Sequence, residues 1–233
     1  EIREITACID KLIKLREIDL GFSTGLWLHL EEHHVKAITQ SICKMKSNKV
    51  RLELLCITED QLMGYSDKKN FFKNLTTLLP LFLSNLETKL TSLHVEFLLE
   101  YFEEYTVPLD TLNRIFTSIS KMKQLAELSL KIIGLPREPQ YPNIAQLVHL
   151  TELRKINLFL DFMTEIELKF LISKFKEFRK LRDITLGSKY LQLQNKVAES
   201  LLAFAMTKKH LNYKKFDFVC KDNKLNQKLK EVQ

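Results

Sequence analysis

Residues 29 to 34 read HLEEHH, and they hold the densest set of metal-ligating side chains in the 233-residue chain. His29-Leu30-Glu31-Glu32-His33 satisfies H-x-x-E-H. On one continuous helix this spacing puts two imidazoles a turn apart, able to hold Zn²⁺ as neutral ligands. Glu32 would then act as general base on the metal-bound water. The other histidines, His94, His149 and His210, are isolated in the sequence, and no Ser or Cys has a nucleophile's local context. The five glycines spell neither G-x-G-x-x-G nor G-x-x-x-x-G-K-[ST], so no phosphate-cradling loop is present.

The five-letter match resembles the inverzincin metalloproteases, with Gly25-Leu26 echoing the Gly-Leu ahead of that family's motif. The resemblance implies a third, carboxylate ligand some seventy residues downstream, where Glu103 and Glu104 stand. Against it, the pattern fixes only three letters, and His29 falls between two leucines where a turn should become a helix. The simpler reading is a solvated first helical turn, with Glu31 and Glu32 set favourably against the macrodipole. The expectation is therefore a non-enzyme with no catalytic residue, no metal and no cofactor.

The elements that would position any site come from a repeated pattern: a Leu, two residues, an aliphatic, one residue, another aliphatic. It appears as LREIDL (15–20), LTSLHV (90–95), LAELSL (125–130), LRKINL (153–158) and LRDITL (181–186). YKKFDF (213–218) is an aromatic version, and VRLELL from Val50 keeps the alternation without the leading Leu. Alternation marks a strand with one side buried. Between these units the period becomes helical, as in Leu112, Ile115, Phe116 and Ile119, or Leu168, Leu171, Ile172 and Phe175. Basic clusters such as CKMKSNK, SKMKQ and SKFKEFRK follow each helix, as suits a helix C-terminus.

Strands beginning at 15, about 50, 90, 125, 153, 181 and 213 give spacings of 28 to 40 residues. In this recurring motif the chain resembles the leucine-rich repeat family, in its ribonuclease-inhibitor-like class of long strand–helix repeats. The resemblance implies an α/β solenoid of about seven repeats, with a curved parallel sheet on its concave face and helices on its convex face. An ordinary α/β sheet of right-handed strand–helix units is the alternative. The family places Asn or Cys three positions after the last aliphatic; here stand Ser23, Leu98, Ile133, Asp161, Lys189 and Lys221, so the ladder is expected to be missing and the repeats degenerate. One domain over 1–233 is expected: 1–14 the incoming helix of a preceding repeat, 15–220 the repeats, 221–233 a capping helix, together a fragment of a larger protein.

The bulk numbers permit contact with nucleic acid or an acidic surface without demanding it. Net charge is +7 from 36 basic and 29 acidic residues, and mean hydropathy is −0.13. The longest apolar run, LLPLFL at 78–83, is far short of a membrane span. Cys8, Cys43, Cys56 and Cys220 form no C-x-x-C and are expected as reduced, mostly buried thiols of a cytoplasmic protein. The register points Glu17, Asp19, Glu53, His94, Glu96, Glu127, Lys155, Asn157, Phe159 and Asp183 away from the core, where the family binds its partners. The first four strands lean acidic, which suggests a basic or polar protein segment as partner and disfavours nucleic acid there. Phe159 stands out as an aromatic anchor. The Pro-rich connection from Ile133 to Asn143 is a second docking candidate.

The resemblance implies a set of roles: the C-terminal ligand-sensing or autoinhibitory repeats of an innate immune receptor, the substrate-recruiting arm of a ubiquitin ligase, or a scaffold subunit of a large complex. Nucleic-acid binding through the lysine-rich helix ends is the reading from another class, and zinc hydrolysis by HLEEH a third.

Overall fold

The computed structural model describes residues 4, 7–8, 11, 17–22, 29–45, 49–57, 65–98, 109–133, 143–207, 210–220 and 222–231. Seven strands form one sheet: β1 Glu17–Phe22, β2 Lys49–Ile57, β3 Leu90–Leu98, β4 Glu127–Ile133, β5 Lys155–Leu160, β6 Asp183–Leu193 and β7 Tyr213–Cys220. All neighbours are parallel, and the order across the sheet is the order along the chain. A doubly wound sheet reverses its order at a switch point; this one never does.

The alternation decides which side chains are buried. Leu128, Leu130 and Ile132 of β4, Ile156, Leu158 and Leu160 of β5, and Ile184 and Leu186 of β6 are all at most 1% exposed. Burying one such side chain contributes on the order of 1.5–3 kcal/mol. Among the described residues, the leading Leu of the motif lies ahead of the strand in three repeats. Leu125, Leu153 and Leu181 are fully buried in the turn that brings the chain from helix to strand, two residues before β4, β5 and β6 begin.

The helical segments are α1 Glu32–Lys44, α2 Tyr65–Asn85, α3 Leu109–Ser120, a 3-10 turn Ile144–His149, α4 Glu165–Phe175, α5 Asn195–Thr207 and α6 Asn223–Glu231. Consecutive helical segments pack side by side in chain order, as right-handed connections from one edge of a sheet to the next require. The helical periodicity read in the sequence supplies their buried stripes: Leu112, Ile115, Phe116 and Ile119 in α3, and Leu168, Leu171, Ile172 and Phe175 in α4. Thr164 starts α4 with a capping box: its hydroxyl accepts from the Glu167 N–H at 3.3 Å, and the Glu167 carboxylate accepts from the Thr164 N–H at 2.9 Å. No helix among the described residues is long and apolar enough to cross a membrane.

A second repeating element was not read from the sequence. Met45, Leu86, Met122, Leu150 and Phe178 are buried, and each donates its N–H to the carbonyl three residues back, at 3.0–3.2 Å. Each closes a helical segment, so the full unit begins at this anchor. Strand entry repeats as well: Ala126 N–H donates to Thr91 O, Arg154 to Ala126 O, Arg182 to Arg154 O and Asn212 to Arg182 O, at 2.7–2.8 Å. Five successive strand entries thus hang on one another by four copies of the same backbone bond.

The expected absence of an inter-repeat polar ladder needs correction at one position. Asp161, 8% exposed, accepts from the Lys189 N–H at 3.1 Å through Oδ1 and donates its own N–H to Ile132 O at 3.2 Å. It ties together three consecutive turns. Asp can do this because its carboxylate accepts as Asn's carbonyl does.

At the chain's far end α6 packs on α5 and β7, burying Leu229 and half-burying Leu225. At the near end only Glu4, Ala7, Cys8 and Lys11 are described; they are helical and exposed. The apolar stripe Ile2, Ile5, Ile9 and Leu12 lies outside the described residues, as does the Pro-rich connection at 134–142.

Candidate interaction face

Among the described residues, the side chains that alternate away from the core remain exposed or half-buried on the other face of the sheet, Gly187 and Ile133 excepted. Parallel registers align them in three rows. The first runs Asp19, Arg51, Ser92, Glu127, Lys155, Asp183, Tyr213. The second runs Gly21, Glu53, His94, Ser129, Asn157, Thr185, Lys215, and the third continues from Glu96 through Lys131, Phe159 and Gly187 to Asp217. The expected site residues Asp19, Glu53, His94, Glu96, Glu127, Lys155, Asn157, Phe159 and Asp183 therefore do share one face. Glu17 is in β1 opposite Lys49, with its side chain outside the described residues.

The rows are internally bonded. Ser92 Oγ donates to the Glu127 carboxylate at 3.2 Å, and Asn157 Nδ2 donates to Ser129 Oγ at 3.1 Å. Glu96 is the centre of a small cluster, accepting from Lys131 Nζ at 2.5 Å with His94 Nε2 at 3.6 Å. These are cross-strand pairs, the unit by which a sheet stabilises its faces.

Two expectations change here. The acidic lean of the first four strands is offset in register, because Arg51 lies opposite Asp19, Lys131 opposite Glu96, and Lys155 between Glu127 and Asp183. A row that alternates in sign offers no uniform field to a basic segment. Phe159 is also half-buried, and it does not stand up as an anchor. Its ring lies across Gly187 of the next strand, where a Cβ would come within 2.6 Å of Phe159 Cδ2 and 3.1 Å of Asp217 Cβ. The ring fills the place of the missing side chain, so Gly187 is buried. Sequence reasoning missed Gly187 as a partner of Phe159; the signal was the 28-residue offset between them, one repeat length.

HLEEHH does not form the geometry its spacing suggested. Glu31 is extended (φ −123°, ψ 164°) and caps α1, which begins at Glu32. His29 lies before that break and His33 after it, so the two are not one turn apart on a shared helix. The residues have local roles instead: the Glu31 N–H donates to His34 Nδ1 at 3.2 Å, and His33 Nδ1 lies 3.3 Å from Glu31. The hydrogen bond and charge of Lys36, at 2.5 Å, hold the Glu32 carboxyl below its ordinary pKa. Glu103 and Glu104 lie outside the described residues, among which no cluster of three or more His, Cys, Asp or Glu side chains could hold a metal.

The cysteines are less buried than expected. Cys8 and Cys43 are exposed and Cys220 is buried, while the Cys56 side chain lies outside the described residues. Cys43 lines an open groove of about 360 Å³ with Lys36, Thr39, Gln40 and Asn85. Partial burial raises its thiol pKa although Lys89 pulls it down, which is the opposite of an activated nucleophile.

Three lysines act as helix caps, of which Lys123 comes from the SKMKQ cluster while Lys89 lies just ahead of β3 and Lys214 within β7. Lys89 Nζ donates to Met45 O at 3.0 Å, Lys123 Nζ to Ser120 O at 3.1 Å and Lys214 Nζ to Ala205 O at 2.8 Å. Each satisfies a helix C-terminal carbonyl and is thereby held against the protein.

No protein-family model matches the chain, and no curated protein matches it. Among solved structures it is similar to an internalin from Listeria monocytogenes, at a TM-score of 0.35 and 14% identity, over 97% of this chain and 68% of that one. It is also similar to GH5-4 broad specificity endoglucanases. The one from Clostridium acetobutylicum matches at a TM-score of 0.30 and 11% identity, over 98% of this chain and 88% of that one. The one from Clostridium longisporum matches at 0.28 and 12%, over 97% and 84%. These likenesses are low and join dissimilar proteins, so the architecture of this chain rests on its own sheet order: one open parallel sheet of seven repeating strand–helix units.

Proposed function

We propose that this chain is a non-enzymatic protein-recognition domain of the leucine-rich-repeat type, meeting a protein partner with the polar face of its sheet. One observation carries the reading. All-parallel sheets are ordinarily covered on both faces, yet here the described helical segments pack beside one another over the buried face, and the other face carries exposed and half-buried polar rows. Those rows are pre-ordered by their own hydrogen bonds, so a partner that lands on them meets little side-chain freedom to remove. The neutral centre formed by Ser129, Asn157 and Thr185 suits a polar protein surface better than a strongly charged one.

The reading extends to the sensing or autoinhibitory repeats of a cytoplasmic innate immune receptor, which the motif resemblance supports. Affinity capture with the purified chain tests the core of it, using the double variant Asn157→Arg, Thr185→Arg to place bulk at the centre of the face. A partner retained by the wild type and lost by the variant, with the melting temperature unchanged, is the expected result. Retention of every captured protein by the variant, or one zinc per chain that is lost on His33→Ala, would overturn it.

A further inference from the structure

The edge of the sheet where the strands begin carries a second surface. At the fifth and sixth strands it holds Arg154, Lys155, Arg179, Lys180 and Arg182, all exposed. The Arg182 N–H donates to Arg154 O at 2.7 Å, so these residues sit on adjacent turns about 4.8 Å apart. Most cations along this edge are already used. Lys89, Lys123 and Lys214 cap helices, Lys121 pairs with Glu87 at 3.5 Å and Lys180 pairs with Glu152. The Arg182 guanidinium folds back on the carbonyls of Arg179 and Leu181. By contrast, the side chains of Arg154, Lys155 and Arg179 make no hydrogen bond or ion pair among the described residues. Helix-end electrostatics explains the capped lysines but not these three, which reach no helix carbonyl.

We infer that this rim is a docking surface for an acidic polypeptide segment. Two exposed guanidinium forks and an ammonium on neighbouring turns match carboxylates spaced along an extended chain, and Arg pairs with carboxylate through two parallel bonds. A nucleic acid fits less well. Glu152 and Asp183 are interleaved with the cations and would oppose a continuous phosphate backbone. Single strands also need successive stacking rings, whereas Phe178 is buried and Tyr213 alone offers an exposed ring at the sixth and seventh strands of this edge. The rim adjoins the polar face at Lys155, and variants at Arg154 and Arg179, which lie off the rows of that face, separate the two.

The test is fluorescence anisotropy on the full chain at about 100 mM salt, where screening acts over roughly 10 Å. The probes are a labelled glutamate-rich peptide of about twelve residues and a uridine oligonucleotide of equal length. The peptide should bind, and Arg154→Gln with Arg179→Gln should weaken it about tenfold, near 1.4 kcal/mol. Removing the same charge from α6, by Lys224→Gln with Lys228→Gln, should change binding less than about twofold, as should Asn157→Ala with Thr185→Ala on the face. The rim variants break no bond of the fold, so an unchanged melting temperature shows that they are folded. Absence of peptide binding overturns the proposal. Equal losses in the rim and α6 variants also overturn it, since net charge alone would then be at work. Tighter binding of the oligonucleotide than of the peptide would assign the rim to nucleic acid instead.

Discussion

Leu158 and Phe159 are neighbours in β5 and belong to different physical regimes. Leu158 points into the seam between sheet and helices, where it is wholly buried. Phe159 points to the polar face, where its ring lies over Gly187. On the first face, stability comes from apolar area removed from water and depends on volume. On the second, it comes from pairs across strands that leave much of each group in contact with solvent. The packed face holds the molecule together, and the polar face, apart from the close approach of Phe159 to Gly187, is free to vary in chemistry without endangering the fold.

The largest test of this contrast is Leu158→Ala, expected to cost about 2–5 kcal/mol in urea unfolding because it leaves a cavity. Asn157→Ala, one residue away, should cost about 1 kcal/mol or less; equal costs would break the distinction between the faces. Next is Gly187→Ala, whose Cβ would collide with Phe159 and should cost about 1–3 kcal/mol. Adding Phe159→Ala should recover most of that loss, and a double-mutant cycle that shows no coupling would remove the ring from its position over the glycine.

Asp161→Ala is expected to cost about 1 kcal/mol, the low end for an orphaned backbone donor, because exposed Lys189 can still reach water. Asp161→Asn should be close to neutral, since the amide oxygen can accept the same bond. The smallest effect belongs to the polar face. Glu96→Gln should change stability by less than about 1 kcal/mol, and by still less at high salt, because its partners Lys131 and His94 are more than a third exposed or nearly so. A larger effect would show that the Glu96 cluster works as part of the core.

Much of this arrangement is legible in the chain. Period-two alternation assigns Leu128 and Leu130 to one face and Ser129 and Lys131 to the other, because a pleated strand has no other choice. Period 3.6 gives α3 and α4 their stripes for the same reason. The rung at Asp161 was hidden because an aspartate stands where the family's pattern calls for Asn or Cys. The anchors at Met45, Leu86, Met122, Leu150 and Phe178 were hidden because three residue types share the position. At HLEEHH the spacing was visible, but the chemistry depended on whether Glu31 would be helical, and it is extended.

The sequence by itself determined the strands, the helical segments and the face of each strand, since these follow from local periods and the burial of apolar side chains. Only the tertiary structure decided which residues stand opposite one another across strands. Register between strands depends on the lengths of the intervening connections and on how the helices stack, and no local pattern contains either. That is why Lys155 falls between Glu127 and Asp183, why Phe159 comes to rest on Gly187, and why the cations of two separate repeats gather on one rim.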